Sequence, residues 1–145
     1  MNSITIRPPI VTSALFPARL THYGQVRAFL DAFCHAAGVP HNSCLRLNLV
    51  VEELFTNTVK HGLRGDSDSP VLIELKAKLR EVVLTYEDQA PPFNPLAYAE
   101  KVATKEQAEA GKVGGLGTVL TRELSIASDY TYLFGHNRIR LTMAR

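Results

Sequence analysis

The stretch VLIELKAKLREVVLTYED, Val71 to Asp88, decides the fold class. Val71, Ile73, Leu75, Ala77 and Leu79 alternate with Glu74, Lys76 and Lys78, the period of two expected of a strand with one face buried. A turn near Arg80-Glu81 leads into Val82 to Glu87, which returns as the second strand of an antiparallel hairpin. A pattern of this kind belongs to a sheet that packs on one side only.

Upstream the period changes. From Thr21 to Ala37 apolar residues recur at helical spacing, with Val26, Phe29, Leu30 and Phe33 on one side. Thr21 is the expected N-cap and Gly38 the glycine that ends the helix. A second helix is expected from Asn42 to His61, opened by Pro40 and Asn42 and closed by Gly62, with Leu47, Val50, Val51, Leu54 and Thr58 as its buried stripe. The opening, Ser3 to Phe16, is β-prone but broken by Pro8 and Pro9, which suits an edge strand or two short pieces. Leu63 to Pro70 is a loop.

Downstream, Pro91 to Gly114 is irregular and a short helix is expected over Thr118 to Leu124. The end reads as a second hairpin: Tyr130, Tyr132 and Phe134 answer Ile139, Leu141 and Met143 across a Gly135-His136-Asn137 turn. Helices that are not interleaved strand by strand with the hairpins imply an α+β domain. The expectation is a two-layer sandwich, one mixed, mostly antiparallel sheet with helices on one face.

The 145 residues suffice for one domain, taken as 1–145. The net charge of +2 gives no reason to expect nucleic acid as a partner. No apolar run is long enough to span a membrane, and the first ten residues carry Arg7, Pro8 and Pro9 where a signal peptide needs apolar residues. The two cysteines, Cys34 and Cys44, form no disulfide framework; together these features imply a soluble, cytoplasmic protein. Cys34, His35, His41 and Cys44 match no usual zinc spacing, and Cys34 reads as a core residue.

Three groups of residues could carry chemistry. Glu53, Asn57, Lys60 and His61 sit on the second helix, with 53, 57 and 61 on one side at the border of the apolar stripe. Glu53 suits a general base and Asn57 offers a neutral oxygen for a hard cation; a solvated helix face explains the same spacing. Asp88 leaves a strand end in Glu87-Asp88-Gln89-Ala90-Pro91-Pro92-Phe93. There it can accept a hydrogen bond from an exocyclic amine such as that of adenine, or simply close an Asx turn. Gly111-Lys112-Val113-Gly114-Gly115-Leu116-Gly117-Thr118 puts glycines ahead of a helix, either a phosphate cradle or a flexible hinge. It is neither a P-loop nor a dinucleotide fingerprint.

Taken together, and in this order, the three groups resemble the anti-sigma-factor serine/threonine kinases, whose ATP-binding fold is shared with histidine kinases, gyrase and Hsp90. Glu53-x-x-x-Asn57-x-x-x-His61-Gly62, Asp88-x-Ala90-x-x-Phe93 and Gly115-x-Gly117-Thr118 stand where that family has its motifs, and the resemblance runs from Phe16 onward. It implies ATP and Mg²⁺ as cofactors, with Glu53 as catalytic base, Asn57 as Mg²⁺ ligand and Asp88 as adenine reader. Lys60, His61, Phe93, Gly115, Gly117 and Thr118 would complete the nucleotide site, and Pro95 to Gly114 would form a lid. The implied partners are an anti-sigma-factor antagonist protein phosphorylated on serine, a sigma factor, and a second copy of the chain.

The family's usual glycine is Ala90 here, followed by Pro91, which pushes Ala90 toward extended conformations. The alternative to a kinase is a non-catalytic module of the same fold that binds its partner when ATP is bound. A histidine-kinase fragment fits poorly, because one short helix before the second helix cannot make a phosphoacceptor hairpin.

Overall fold

A computed structural model describes residues 9–97 and 125–145. Strand β1 (Ile10–Pro17) is followed by a 3₁₀ turn (Leu20–His22), helix α1 (Tyr23–Ala37) and helix α2 (His41–Asn57), which runs on into a single π-helical turn (Thr58–Gly62). Strands β2 (Pro70–Ala77), β3 (Glu81–Asp88), β4 (Ala127–Leu133) and β5 (His136–Ala144) complete the described chain. The sheet order is β1-β2-β3-β5-β4, and every pairing among these strands is antiparallel. The sheet expected to be mixed is antiparallel throughout its described part.

The alternation read between Val71 and Glu87 becomes a division between two faces. Val71, Ile73, Leu75, Ala77, Val82, Leu84 and Tyr86 are buried, and Ile139, Leu141 and Met143 of β5 continue the same surface. Against it pack Val26, Leu30 and Phe33 of α1 and Leu47, Val50, Val51, Leu54 and Phe55 of α2, all in one core cluster. Truncating a fully buried aromatic such as Phe55 typically costs about 3–5 kcal/mol. Helix α1 stops as expected: Gly38 takes φ +66, and Val39 N–H returns to the Cys34 carbonyl at 2.9 Å.

Four local expectations are corrected. Thr21 is not the N-cap: it lies inside the 3₁₀ turn, and the cap position of α1 is His22, with no side-chain cap bond. Regular α-helix ends at Asn57 rather than His61, because Leu63 N–H reaches back five residues to the Thr58 carbonyl, at 2.8 Å. Leu79 does not share the buried face; β2 ends at Ala77 and Leu79 sits in the turn, 86% exposed. The last turn is Phe134-Gly135, with φ of 53 and 78, so His136 and Asn137 already belong to β5. Of the three aromatic residues read as answering Ile139, Leu141 and Met143, Tyr130 faces Ile139, Tyr132 faces Asn137 and Phe134 lies in the turn. The expected helix Thr118–Leu124 lies outside the described residues.

Two consecutive positive φ values define the mirror-image turn that suits a twisted hairpin, and Asn-Gly is its preferred sequence. Phe134 is 90% exposed and gains no burial in return for a left-handed backbone. Phe134→Asn should therefore stabilise the chain by about 1 kcal/mol, raising the melting temperature by about 3 °C. A thermal melt followed by circular dichroism checks this; an unchanged or lower midpoint would show that the turn carries no such strain.

Candidate functional site

Where α2 meets the end of β3, the packing leaves a cavity of about 580 Å³. One wall is the last turn of α2 with the π turn, the floor is β3 and β5, and the rim is the loop after Asp88. Glu53, Asn57, Lys60, His61, Asp88 and Phe93, singled out from sequence, all border it. Gly115, Gly117, Thr118 and all of the expected lid beyond Ala97 lie outside the described residues.

The wall and the floor are built by different physics. Along α2, Leu54 and Phe55 point into the core, so Glu53 and Asn57, one turn apart, are left at its edge, half-buried. Asn57 Nδ2 donates to Glu53 Oε1 at 3.1 Å, which ties the two side chains together and points Asn57 Oδ1 away from the pair. Beyond Asn57 the wider π winding changes the angular step, and it still leaves Lys60 and His61 on the cavity border, both exposed.

On the floor, Asp88 is 9% exposed and does not lack donors. Its Oδ2 accepts from Thr58 Oγ1 at 2.7 Å; its Oδ1 accepts from Asn137 Nδ2 at 2.9 Å and from the Ala90 N–H at 3.2 Å. The last of these is the Asx turn weighed from sequence, so the turn and the inward-facing carboxylate are one structure. Tyr86 Oη lies 2.7 Å from Thr58 Oγ1. Burial pushes the Tyr86 phenol well above its ordinary range, and the Asp88 charge adds to this, so it holds its proton. A carboxylate only accepts, so the protons run one way: Tyr86 gives to Thr58, and Thr58 gives to Asp88. The Leu54 carbonyl, 3.0 Å from Thr58 Oγ1, competes for the same proton, and the shorter, charge-assisted bond is the stronger. Tyr130, at the β4 side of the floor, is also raised, chiefly by burial and further by the Asp88 charge.

Sequence reasoning missed Tyr86, Tyr130, Asn137 and Arg64 as cavity residues, and took Thr58 only for part of the apolar stripe. A signal existed for two of them: Thr58 is a polar residue within a buried helical stripe, and Asn137 shares the inward parity of Ile139, Leu141 and Met143. Arg64 adopts φ +58 and borders the cavity beside Lys60 and His61. Elsewhere, Cys34 is a core residue at 5% exposure. Its thiol is pushed up to about 12, first by burial and then by the neighbouring Cys44.

The arrangement presents a carboxylate–amide pair on one wall, an acceptor-only carboxylate on the floor, and three basic side chains at the border. Such a set suits a ligand that offers an amine at one end and negative charge at the other.

The family described as the histidine kinase-like ATPase domain matches residues 16–143. The chain belongs to that family. Its curated relatives include the serine-protein kinase RsbW of Listeria innocua serovar 6a. It is 25% identical over 111 residues, which make up 74% of this chain and 71% of the relative. The serine-protein kinase RsbW of Listeria monocytogenes serotype 4a matches to the same extent. Among solved structures, the RsbU and RsbW domains of Rv1364c from Mycobacterium tuberculosis superpose with a TM-score of 0.57 at 19% identity. That match covers 96% of this chain and 33% of the other, so the chain spans about a third of its length. The resemblance to the anti-sigma-factor kinases, read from three motifs, is supported by the same relatives.

The substitution of the family's glycine by Ala90 has a local answer. Ala90 is not among the positive-φ residues, which outside glycine are Arg64 and Phe134 in the described chain, and it packs at 3% exposure. A β-carbon placed on Gly62 would come within 2.7 Å of the Ala90 β-carbon. The π turn and the loop after Asp88 thus share room for a single methyl group. Gly62→Ala should cost about 1–3 kcal/mol by overpacking, and adding Ala90→Gly should recover most of it. Chemical denaturation of both variants and of Ala90→Gly alone closes the cycle; additive effects would show that the two positions do not compete.

Proposed function

We propose that this chain is an ATP- and Mg²⁺-dependent protein serine/threonine kinase that acts as an anti-sigma factor and phosphorylates a small antagonist protein. The observation that carries this is the Glu53–Asn57 pair on one wall of a cavity whose floor holds the acceptor-only Asp88. Asp88 accepts from the adenine amine. Lys60, His61 and Arg64 border the cavity where a chain of phosphates needs positive charge, and Gly115, Gly117 and Thr118 are assigned to those phosphates by their motif. Phe93, on the rim, covers the base. The names of the Listeria relatives, serine-protein kinases, favour transfer to a protein serine. A sigma factor and a second copy of this chain are the further partners.

The donor set fits a hard cation sparingly. Asn57 contributes a neutral oxygen, and the described residues include no group of three or more His, Cys, Asp or Glu placed to hold a metal. Phosphate oxygens and water would complete the coordination. When bound, Mg²⁺ neutralises charge on the β- and γ-phosphates. The chain's own tasks are to hold the adenine end at Asp88 and to orient the substrate serine beside Glu53. As the serine oxygen bonds to the γ-phosphorus and the bridge to the β-phosphate breaks, the hydroxyl proton passes to Glu53, and ADP leaves.

Glu53→Gln keeps an oxygen that can accept from Asn57 Nδ2 and removes the basicity. The variant should bind ATP·Mg²⁺ and the antagonist like wild type, yet transfer phosphate about 10²–10⁴-fold more slowly in a radiolabel assay. Transfer at the wild-type rate would remove Glu53 as the base. If wild type itself labels no co-purifying protein, the non-catalytic, ATP-dependent binding module is the correct reading.

Asn57→Ala should lose the part of nucleotide affinity that depends on Mg²⁺. Titrations with and without the cation test this. A gap between the two conditions as wide as in wild type would discard Asn57 as a ligand.

A further inference from the structure

Asn137 belongs to none of the three motifs, yet among the described residues it is the most heavily bonded side chain at the cavity. It sits on β5 directly across from Asp88 in the strand register, 8% exposed. Its Nδ2 lies 2.9 Å from Asp88 Oδ1, 3.0 Å from the Ala90 carbonyl and 3.0 Å from the Pro91 carbonyl. Two amide hydrogens are thus shared among three acceptors. Its Oδ1 accepts from the Phe93 N–H at 3.0 Å and from the Tyr130 hydroxyl. Acceptors surround the nitrogen and donors surround the oxygen, so only one orientation of the amide satisfies the site.

The consequence for Asp88 follows by counting lone pairs. Among the described residues, Oδ1 is filled by Asn137 and the Ala90 N–H, whereas Oδ2 has a single donor, Thr58. The carboxylate is gripped from two sides and keeps one acceptor site in reserve. The same Asn137 amide holds the loop that rims the cavity. Proline cannot donate, so Pro91 and Pro92 leave this loop short of N–H groups for anchoring itself. Besides the Ala90 N–H on Asp88, it is attached to the sheet through two carbonyls and the Phe93 N–H, all three bonded to the Asn137 side chain.

We propose that Asn137 is a positioning residue that sets base specificity: it locks Asp88 with one acceptor toward the ligand and pins the Ala90–Phe93 rim over it. The specificity half of this rests on the adenine-nucleotide reading above. A locked carboxylate accepts from an exocyclic amine and repels a carbonyl oxygen in its place, so the cavity separates adenine from guanine nucleotides. Without Asn137, Asp88 keeps Thr58 and the Ala90 N–H but loses its grip from the last strand, so its plane can turn, the amine loses its oriented partner, and the penalty on the carbonyl weakens.

The test compares ATP and GTP affinities, with Mg²⁺, for full-length wild type and Asn137→Ala, by calorimetric titration. Wild type should favour ATP. In the variant, ATP affinity should fall about 10–100-fold, the range of one hydrogen bond to a charged group, while GTP affinity changes far less and the preference collapses. A merely structural role would lower both affinities by the folded fraction and leave their ratio unchanged. An ATP preference kept intact in the variant therefore overturns the specificity role. If Asn137→Ala does not fold, Asn137→Thr keeps strand propensity and a single donor, too few for three acceptors; it should show the same loss of ratio in smaller degree, and an unchanged ratio there also overturns the role. Wild type that binds the two nucleotides alike overturns the specificity role while leaving nucleotide binding standing; wild type that binds neither refutes the nucleotide reading and the specificity with it. The pinning half is then read without ligand: amide exchange at Ala90 and Phe93 should quicken at least about 10-fold in the variant while β2 and β3 keep their protection. Unchanged exchange at those two amides overturns the brace whatever the nucleotide data show.

Discussion

Asp88 faces Asn137 across the β3–β5 ladder, and the organisation of the cavity depends on that pairing. A carboxylate at 9% exposure is costly unless its oxygens are met by donors. Three elements supply them: Thr58 from the end of the helical layer, Ala90 from the loop, and Asn137 from the last strand. Each donor is itself held elsewhere. Thr58 is backed by Tyr86, and Asn137 is locked by Tyr130 and by the loop it carries. Bonds in such a network orient and polarise one another, so a buried charge becomes a fixed acceptor instead of a defect in the core.

The helical wall meets this floor through a tight contact. Gly62 closes the π turn, and the methyl of Ala90 occupies the space that a side chain at 62 would need. Single π turns inside helices recur at functional sites. Here the turn separates two duties: upstream, α2 keeps strict helical spacing and seats Leu54 and Phe55 in the core; downstream, Lys60 and His61 reach the cavity border. Thr58, the first residue of the turn, is the one that bonds Asp88.

Much of the fold was legible because it rests on periodicity, a local property of the chain. The alternation from Val71 to Glu87 and the stripe Leu47, Val50, Val51, Leu54 reappear as the two faces of one core. The misreadings arose where geometry depends on more than the pattern. Leu79 continues the parity of β2, but the turn begins before it, and Lys78 N–H already bonds the Glu81 carbonyl. Gly135-His136-Asn137 has turn-forming residues, yet pairing of Leu133 with His136 sets the turn one residue earlier. The expected N-cap at Thr21 was displaced by a 3₁₀ turn, a choice that capping propensity alone does not make.

The amino-acid sequence by itself determined the α+β class, the antiparallel hairpins, and the motif residues Glu53, Asn57, His61 and Asp88. These are spacings along the chain, and the chain carries them whether folded or not. Only the tertiary structure decided who surrounds Asp88. Its partners Thr58 and Asn137 lie 30 and 49 residues away, brought in by a helical layer and by a last strand that inserts between β3 and β4. A polar residue at an inward-facing position announces only that it must find a partner. Which partner it finds is set by strand order and register, because a hydrogen bond is satisfied in space and not along the sequence.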